Sequence, residues 1–260
     1  MAELLLKAFS RVPNVGDLFS SVLAKRYFSS EVVVVDETPL SVGNLVFLGS
    51  IMGYADRHSI VCGAGLLDTG KIRYPPASVV LTRGPLSRFH LARQGIDSAP
   101  LFGDPGVLFS CVYPVSRSSE FPVGVVPHYV DIDSEWVRRA RESGCLVLDP
   151  RIDPEEFASQ IQRCDAILSS SLHGIIFAHS FGIPAAWIEL SDRVVGHGFK
   201  FFDYFASCGV KPENVDRIRV EPSDSPLSLA ERAFVCSQNL LVQSVLQGVS
   251  KAKALLGYQL

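Results

Sequence analysis

Short apolar runs, rich in β-branched residues and closed by glycine or a charge, recur along this chain and alternate with amphipathic segments. The first part holds "VVVVD" (32–36), "NLVFLGS" (44–50), "SIVCGAG" (59–65) and "SVVLTRG" (78–84). The second holds "VGVVPHYVD" (123–131), "CLVLDPR" (145–151), "DAILSS" (165–170) and "PAAWIEL" (184–190). Runs that are apolar at every position belong to strands buried on both faces, the condition of parallel sheets flanked by helices. "ELLLKAF" (3–9) reads as a further strand at the start. Helices are predicted over about 17–28, 133–143, 154–163 and 172–181, and from Pro85 at a first turn to Gly95 at an end.

The alternation breaks once, at "CVYPVSRSSEFP" (111–122), which is polar, carries two prolines and has no periodicity. It reads as a linker. The predicted fold class is therefore α/β, with two Rossmann-like, doubly wound domains facing a cleft. The first spans 1–115 and the second 122–225. Residues 226–260 read as one long packing helix, with Leu227, Ala230, Phe234, Leu241, Val245, Val249, Ala252 and Leu256 near a 3.6-residue period.

With 24 basic and 27 acidic residues the net charge is −3, so no basic field draws the chain to nucleic acid. Six cysteines are scattered without a CxxC or a His/Cys cluster, which argues for reduced thiols and against a zinc site. "MAELLLKAFSR" is too short a leucine run for a signal-peptide core, and no apolar stretch reaches the ~18 residues of a membrane span. The expectation is a soluble cytoplasmic protein.

Ligands of open α/β sheets sit beyond the carboxyl ends of the strands. "NVGD" (14–17), "RG" (83–84), "PHY" (127–129) and "SSSLHG" (169–174) all fall at such ends. Asn14, Gly16 and Asp17 read either as a ligand loop before a helix or as a turn with Asp17 as N-cap. Arg83 is either a fork for a carboxylate or phosphate, or a surface arginine ahead of a proline-started helix. His128 is either functional or a half-buried, hydrogen-bonded imidazole. Lys200 either neutralises an anion or occupies a solvated helix position. Ser170 or Ser171 is expected to cap the next helix, leaving first-turn N–H groups to an anion, with His173 beside it as proton donor. His179, six residues on, lies about 240° round the helix and reads as structural.

Taken in order, "NVGD", "FLGSIM", "VCGAGLL", "TRGPLSRFHL", "FGDPGVLF", "GVVPHYVD" and "DAILSSSLHGIIFAHSFGIPA" resemble the polysaccharide pyruvyl transferases, over about residues 10–205. The resemblance implies a fold like that of the GT-B glycosyltransferases, with the first domain on the acceptor side and the second on the donor side. Phosphoenolpyruvate is the implied donor, with no other cofactor and no metal. The implied partner is a saccharide acceptor, free or lipid-linked at the inner face of the cytoplasmic membrane. The product is a pyruvate ketal on an exopolysaccharide or cell-surface polysaccharide.

Donor contacts of the family fall on Arg83, Leu172 and His173, with Ser170, Ser171, Gly174 and Lys200 around them. Asn14 and Gly16 fall on the acceptor side, and His128 or Asp17 is the expected base for the acceptor hydroxyls. His173 is the expected acid or phosphate partner, because protonating an enol phosphate suits a group of near-neutral pKa. Many members carry arginine where this chain has Ser171, so one donor charge is either missing or supplied by Arg88, Arg193 or Lys200. Two other functions fit the same architecture: a sugar-nucleotide glycosyltransferase, and a non-catalytic subunit of a polysaccharide-assembly complex.

Overall fold

Two parallel five-stranded sheets organise the computed structural model, which describes residues 3–29 and 31–258. Residues 1–2, 30 and 259–260, which include the outer ends of the predicted 1–115 and 226–260 segments, lie outside the described residues. The first sheet is built from β1 (Leu4–Lys7), β2 (Val32–Val35), β3 (Asn44–Val46), β4 (Ser59–Cys62) and β5 (Ser78–Leu81). The second uses β6 (Phe121–Val126), β7 (Leu146–Val147), β8 (Cys164–Ser169), β9 (Ala185–Glu189) and β10 (Arg217–Arg219). Their orders are β2-β1-β3-β4-β5 and β7-β6-β8-β9-β10, so each sheet repeats the same 2-1-3-4-5 winding. In that winding the chain leaves its first strand to one side and returns on the other. This creates one crevice per sheet, at the carboxyl ends of the first and third strands.

The helices joining the strands are α1 (Val15–Tyr27) and α2 (Pro85–Ala92) in the first half, with a short α3 (Phe109–Val112) at its end. The second half carries α4 (Glu135–Glu142), α5 (Pro154–Ile161), α6 (Leu172–Ser180) and α7 (Phe199–Ser207). Each strand of the second half but β10, and each of these helices but α3 and α7, falls on a segment predicted for it; α3 runs into the start of the stretch read as a linker. The connections from β3 to β4 and from β4 to β5 contain no α-helix. The sheet face they leave is covered from the far end of the chain, by a terminal helix packed on β4 and β5. Gly248 of that helix sits so close that a Cβ there would lie 3.0 Å from Leu81 Cβ.

That terminal segment corrects the expectation of one helix over 226–260. It is two: α8 (Pro226–Ala230) and α9 (Asn239–Leu256), separated by an extended stretch. Phe234 in the stretch pairs antiparallel with Ala185, and its carbonyl meets His179 Nε2 at 2.9 Å. The helical period ran through this stretch because Ala230, Phe234 and Leu241 follow one another at intervals of four and seven residues, which a helix would put on one face. Tertiary pairing to β9 takes precedence over that spacing.

One hydrophobic core crosses between the halves. Phe19 of α1, Phe109 of α3 and Phe177 of α6 meet at its centre, with Phe109 and Phe177 stacked at 3.9 Å and 8°. Phe19 meets Phe109 edge-on at 4.8 Å and Phe177 at 5.5 Å. Aromatic pairs in such geometries add about 0.5–1.5 kcal/mol each beyond area burial. Among the described residues no helix is long and apolar enough to cross a membrane.

Candidate functional site

Because both sheets share one winding, their two crevices can face each other, and they do. A cleft of about 290 Å³ is lined by Asn14 and Asp17 after β1, and by Gly49, Ser50 and Ile51 after β3. Across from them stand His128 and Tyr129 after β6, and Ser171, Leu172 and His173 after β8. Arg193 and Lys200, from the connection after β9 and the start of α7, close the rim.

Two helix N-termini meet in this cleft. At α1, Asn14 is the N-cap, its Oδ1 accepting from Gly16 N at 2.9 Å, so Asp17 stands in the first turn and is not the cap. At α6, Ser171 occupies the N-cap position but its side chain makes no capping bond. The expected serine cap is therefore not made by Ser171, and Ser170, the other candidate, is committed elsewhere. Ser170 Oγ accepts from His128 N at 2.8 Å, and Ser169 Oγ accepts from Ser171 N at 3.1 Å while donating to Val126 and Ser171 carbonyls. The first-turn N–H groups of α6 are therefore left to the cleft without a side-chain acceptor, and a helix end of that kind attracts anions. Gly174 faces the sheet, not the cleft: a Cβ there would lie 2.4 Å from Ser169 Oγ.

His173 is buried and lines the cleft floor. Its ring stacks on Phe177, one turn along the helix, at 5.5 Å and 23°. The other side presses on Gly16, where a Cβ would stand 2.0 Å from His173 Nδ1. Its Nε2 is buried without a hydrogen bond and points toward Asp104 Oδ2, 3.9 Å away, which is likewise buried and unpartnered.

Burial, with the nearby charges of Lys200 and Arg83, pushes the His173 imidazole down to about 3. His128 falls to about 4 for the same leading reason, with Lys200 adding to it. Both imidazoles are neutral at physiological pH. His128 Nδ1 accepts from Val130 N in a long 3.5 Å contact, which favours the proton on Nε2. The near-neutral group of the cleft is Asp17. Its half-buried carboxyl is raised by burial to about 7, although the Phe9 N–H and the charge of Lys200 pull the other way. Lys200 is lowered by burial, then by Arg83, to about 8. A near-neutral pKa was expected at His173. It falls at Asp17 because a carboxyl and an imidazole shift in opposite directions when desolvated.

Arg83 does not line the cleft. Its guanidinium is fully buried, with Nε on Asp203 Oδ2 at 3.0 Å, Nη1 on Ser50 Oγ at 2.7 Å and Nη2 on the Leu66 carbonyl at 2.7 Å. Asp203 of α7 also accepts from Ser87 N and Ser87 Oγ in the first turn of α2. Gly84 permits this junction, since a Cβ there would fall 2.0 Å from the Asp203 carbonyl oxygen. Arg83 thus ties the halves together behind the cleft wall and acts on the cleft through its charge. Arg88 is also absent from the lining, whereas Arg193 is present, held at 2.7 Å by buried Asp131.

His179 sits in a packed network, with Nδ1 on Tyr204 Oη at 2.8 Å. Sequence reasoning missed Asp104 as a site residue. The signal was available: Phe102 continues the sheet beside Thr82, which places Asp104 at a strand's carboxyl end like the other cleft residues.

Fold and site together define an α/β protein with paired switch points, an anion-attracting floor and a carboxyl that titrates near neutrality. The family model for polysaccharide pyruvyl transferase matches residues 22–192. An uncharacterized protein of Acanthamoeba polyphaga mimivirus is 30% identical over 222 residues, which cover 80% of this chain and 76% of that protein. The chain belongs to the polysaccharide pyruvyl transferase family.

Proposed function

We propose that the protein transfers the pyruvyl group of phosphoenolpyruvate to two hydroxyls of a saccharide, forming a ketal and releasing phosphate. The observation that carries this reading is the meeting of the α6 N-terminus, Lys200 and Asp17 in one cleft. A small dianionic or trianionic donor needs cations and open N–H groups, and an enol phosphate needs a proton donor at its methylene carbon. Lys200, Arg193 and the first-turn N–H groups of α6 hold the donor's phosphate and carboxylate. They supply the charge that relatives place at the Ser171 position.

The proton traffic closes with two groups. Asp17, in its acid form, gives a proton to the methylene carbon as the first hydroxyl oxygen bonds to the adjacent carbon. That hydroxyl's proton passes to neutral His173. The second hydroxyl then displaces phosphate, returning a proton to Asp17, and the His173 imidazolium protonates the departing phosphate. His128, with its proton on Nε2, donates a hydrogen bond to the acceptor, beside Asn14. In this reading the sheets are arranged as in GT-B enzymes, and the acceptor is a saccharide intermediate, free or lipid-linked, met on the cytoplasmic side.

The test is incubation with phosphoenolpyruvate and candidate saccharide or glycolipid intermediates. Phosphate release should match a ketal mass gain by mass spectrometry. Thermal stabilisation by a nucleotide sugar, with none by phosphoenolpyruvate and no ketal, would sink the proposal in favour of glycosyl transfer. Association with assembly enzymes in the absence of any phosphate release would favour the non-catalytic subunit.

A further inference from the structure

Asp104 is fully buried under the cleft, and nothing in the proposed chemistry has yet used it. Its Oδ1 accepts from Gly106 N at 2.8 Å, which fixes the carboxylate on the short turn at Pro105–Leu108. Its Oδ2 has no partner, and the atom it faces, His173 Nε2, has none either. Buried polar atoms are nearly always hydrogen-bonded, so two orphans facing each other are a functional signal. Their 3.9 Å separation is just beyond a hydrogen bond, and a shift of the side chain by less than an ångström would close it. Catalytic hydrogen bonds commonly tighten in the substrate complex.

We propose that Asp104 is the positioning residue for His173: it takes the hydrogen bond from Nε2–H, so that the bare Nδ1 lone pair is the one that meets the acceptor hydroxyl. The proposal rests on the pyruvyl-transfer reading and deepens it. The ring geometry supports it, since the stack on Phe177 and the close approach of Gly16 restrict the turn of the ring about Cβ–Cγ, so the ring is held with its two nitrogens in fixed directions. When Nδ1 accepts the hydroxyl proton, the imidazolium forms beside a carboxylate and not beside apolar surface alone. Asp104 itself is raised by burial to about 6, leaving it mainly ionised at neutral pH. The other charged groups acting on His173, Lys200 of α7 and Arg83 behind β5, both disfavour the imidazolium, whereas a carboxylate 3.9 Å from Nε2 acts in the opposite sense.

The test uses the full chain with Asp104→Asn, beside wild type and His173→Gln for assignment. Nitrogen-15 NMR of the histidine side chains should show His173 protonated on Nε2 in wild type. In Asp104→Asn the amide can donate to Nε2 instead, so the proton should shift to Nδ1. In that variant kcat should fall by ~10²-fold or more while the Kd for phosphoenolpyruvate changes less than about twofold. Wild-type His173 carrying its proton on Nδ1 overturns the proposal, and this reading does not need Asp104→Asn to fold. So does an Asp104→Asn protein with wild-type kcat. If no ketal forms with any acceptor but the tautomer shift occurs, the pair stands and the transfer reaction is what fails.

Discussion

The imidazole of His173 occupies the space that a Cβ on residue 16 would need: built there, that carbon lies 2.0 Å from Nδ1. Glycine at this position is thus what lets α1 of one half and α6 of the other meet in the cleft. Gly16→Ala should push the ring off its stack on Phe177. Overpacking of this kind typically costs ~1–3 kcal/mol, which urea denaturation would register. Ketal formation should fall by at least ~10-fold, because a ring displaced by about an ångström loses its aim. An alanine variant with wild-type kcat would mean that His173 does not need this position.

Replacing Arg83 should be a stability event before it is a catalytic one. Arg83→Met leaves Asp203 buried without its cation, and breaking a buried pair from one side costs ~3–5 kcal/mol. Arg83→Lys should recover part of this, since a lysine keeps the charge but not the three-way fork. Both follow from urea midpoints. If Arg83→Met unfolds like wild type yet fails to bind phosphoenolpyruvate, the guanidinium reaches the donor after all.

The pH dependence of kcat/KM should have two alkaline limbs. In the proposed transfer Asp17 works in its acid form, and burial holds it at about 7, so activity should decline as pH rises through that value. Lys200, lowered to about 8, then loses its charge and with it donor affinity. Asp17→Asn should lower the plateau and remove the first limb, leaving only the second. Retention of the limb near 7 in that variant would assign it to another group.

His179 gives a prediction that does not depend on the reaction. Its folded value is about 4 against an ordinary 6.5, the result of burial. The fold therefore prefers the neutral ring. That contribution is complete above about 6.5 and is lost as pH falls from there toward 4. His128 and His173 act in the same sense, whereas Asp17 and Asp104, both raised, bind protons more tightly when folded and blunt the loss. The urea midpoint should drop between pH 7 and 5. In His179→Gln the drop should be shallower, even though the variant starts lower; an unchanged slope would show that the ring titrates freely in the fold.

What could be read in the sequence was whatever local pattern encodes. Strands β2 to β9 announced themselves as continuous apolar runs, and the cleft residues as the polar groups that end them. Long-range pairing is not written in local pattern. Arg83 read as either a ligand clamp or a surface residue, and its partner Asp203, 120 positions on, turns it into neither. Ser170 and Ser171 read as alternative caps, and Ser170 is drawn off to the His128 N–H after β6. α7 went unmarked because "FKFFDYF" is apolar on several sides at once, one face turned to Trp187 and another to α2.

The aromatic stack of Phe19, Phe109 and Phe177 bears on how chains of this kind can be recombined. Each half has its own sheet, and the polar stretch after Val112 is an inviting place to cut. Yet the rings that join the halves come from α1, α3 and α6, from both sides of that cut. A chimera that takes its second half from a relative must bring a matching ring at the Phe177 position, or the floor beneath His173 opens. The halves look like exchangeable modules in sequence, but at the cleft floor they are packed as a unit.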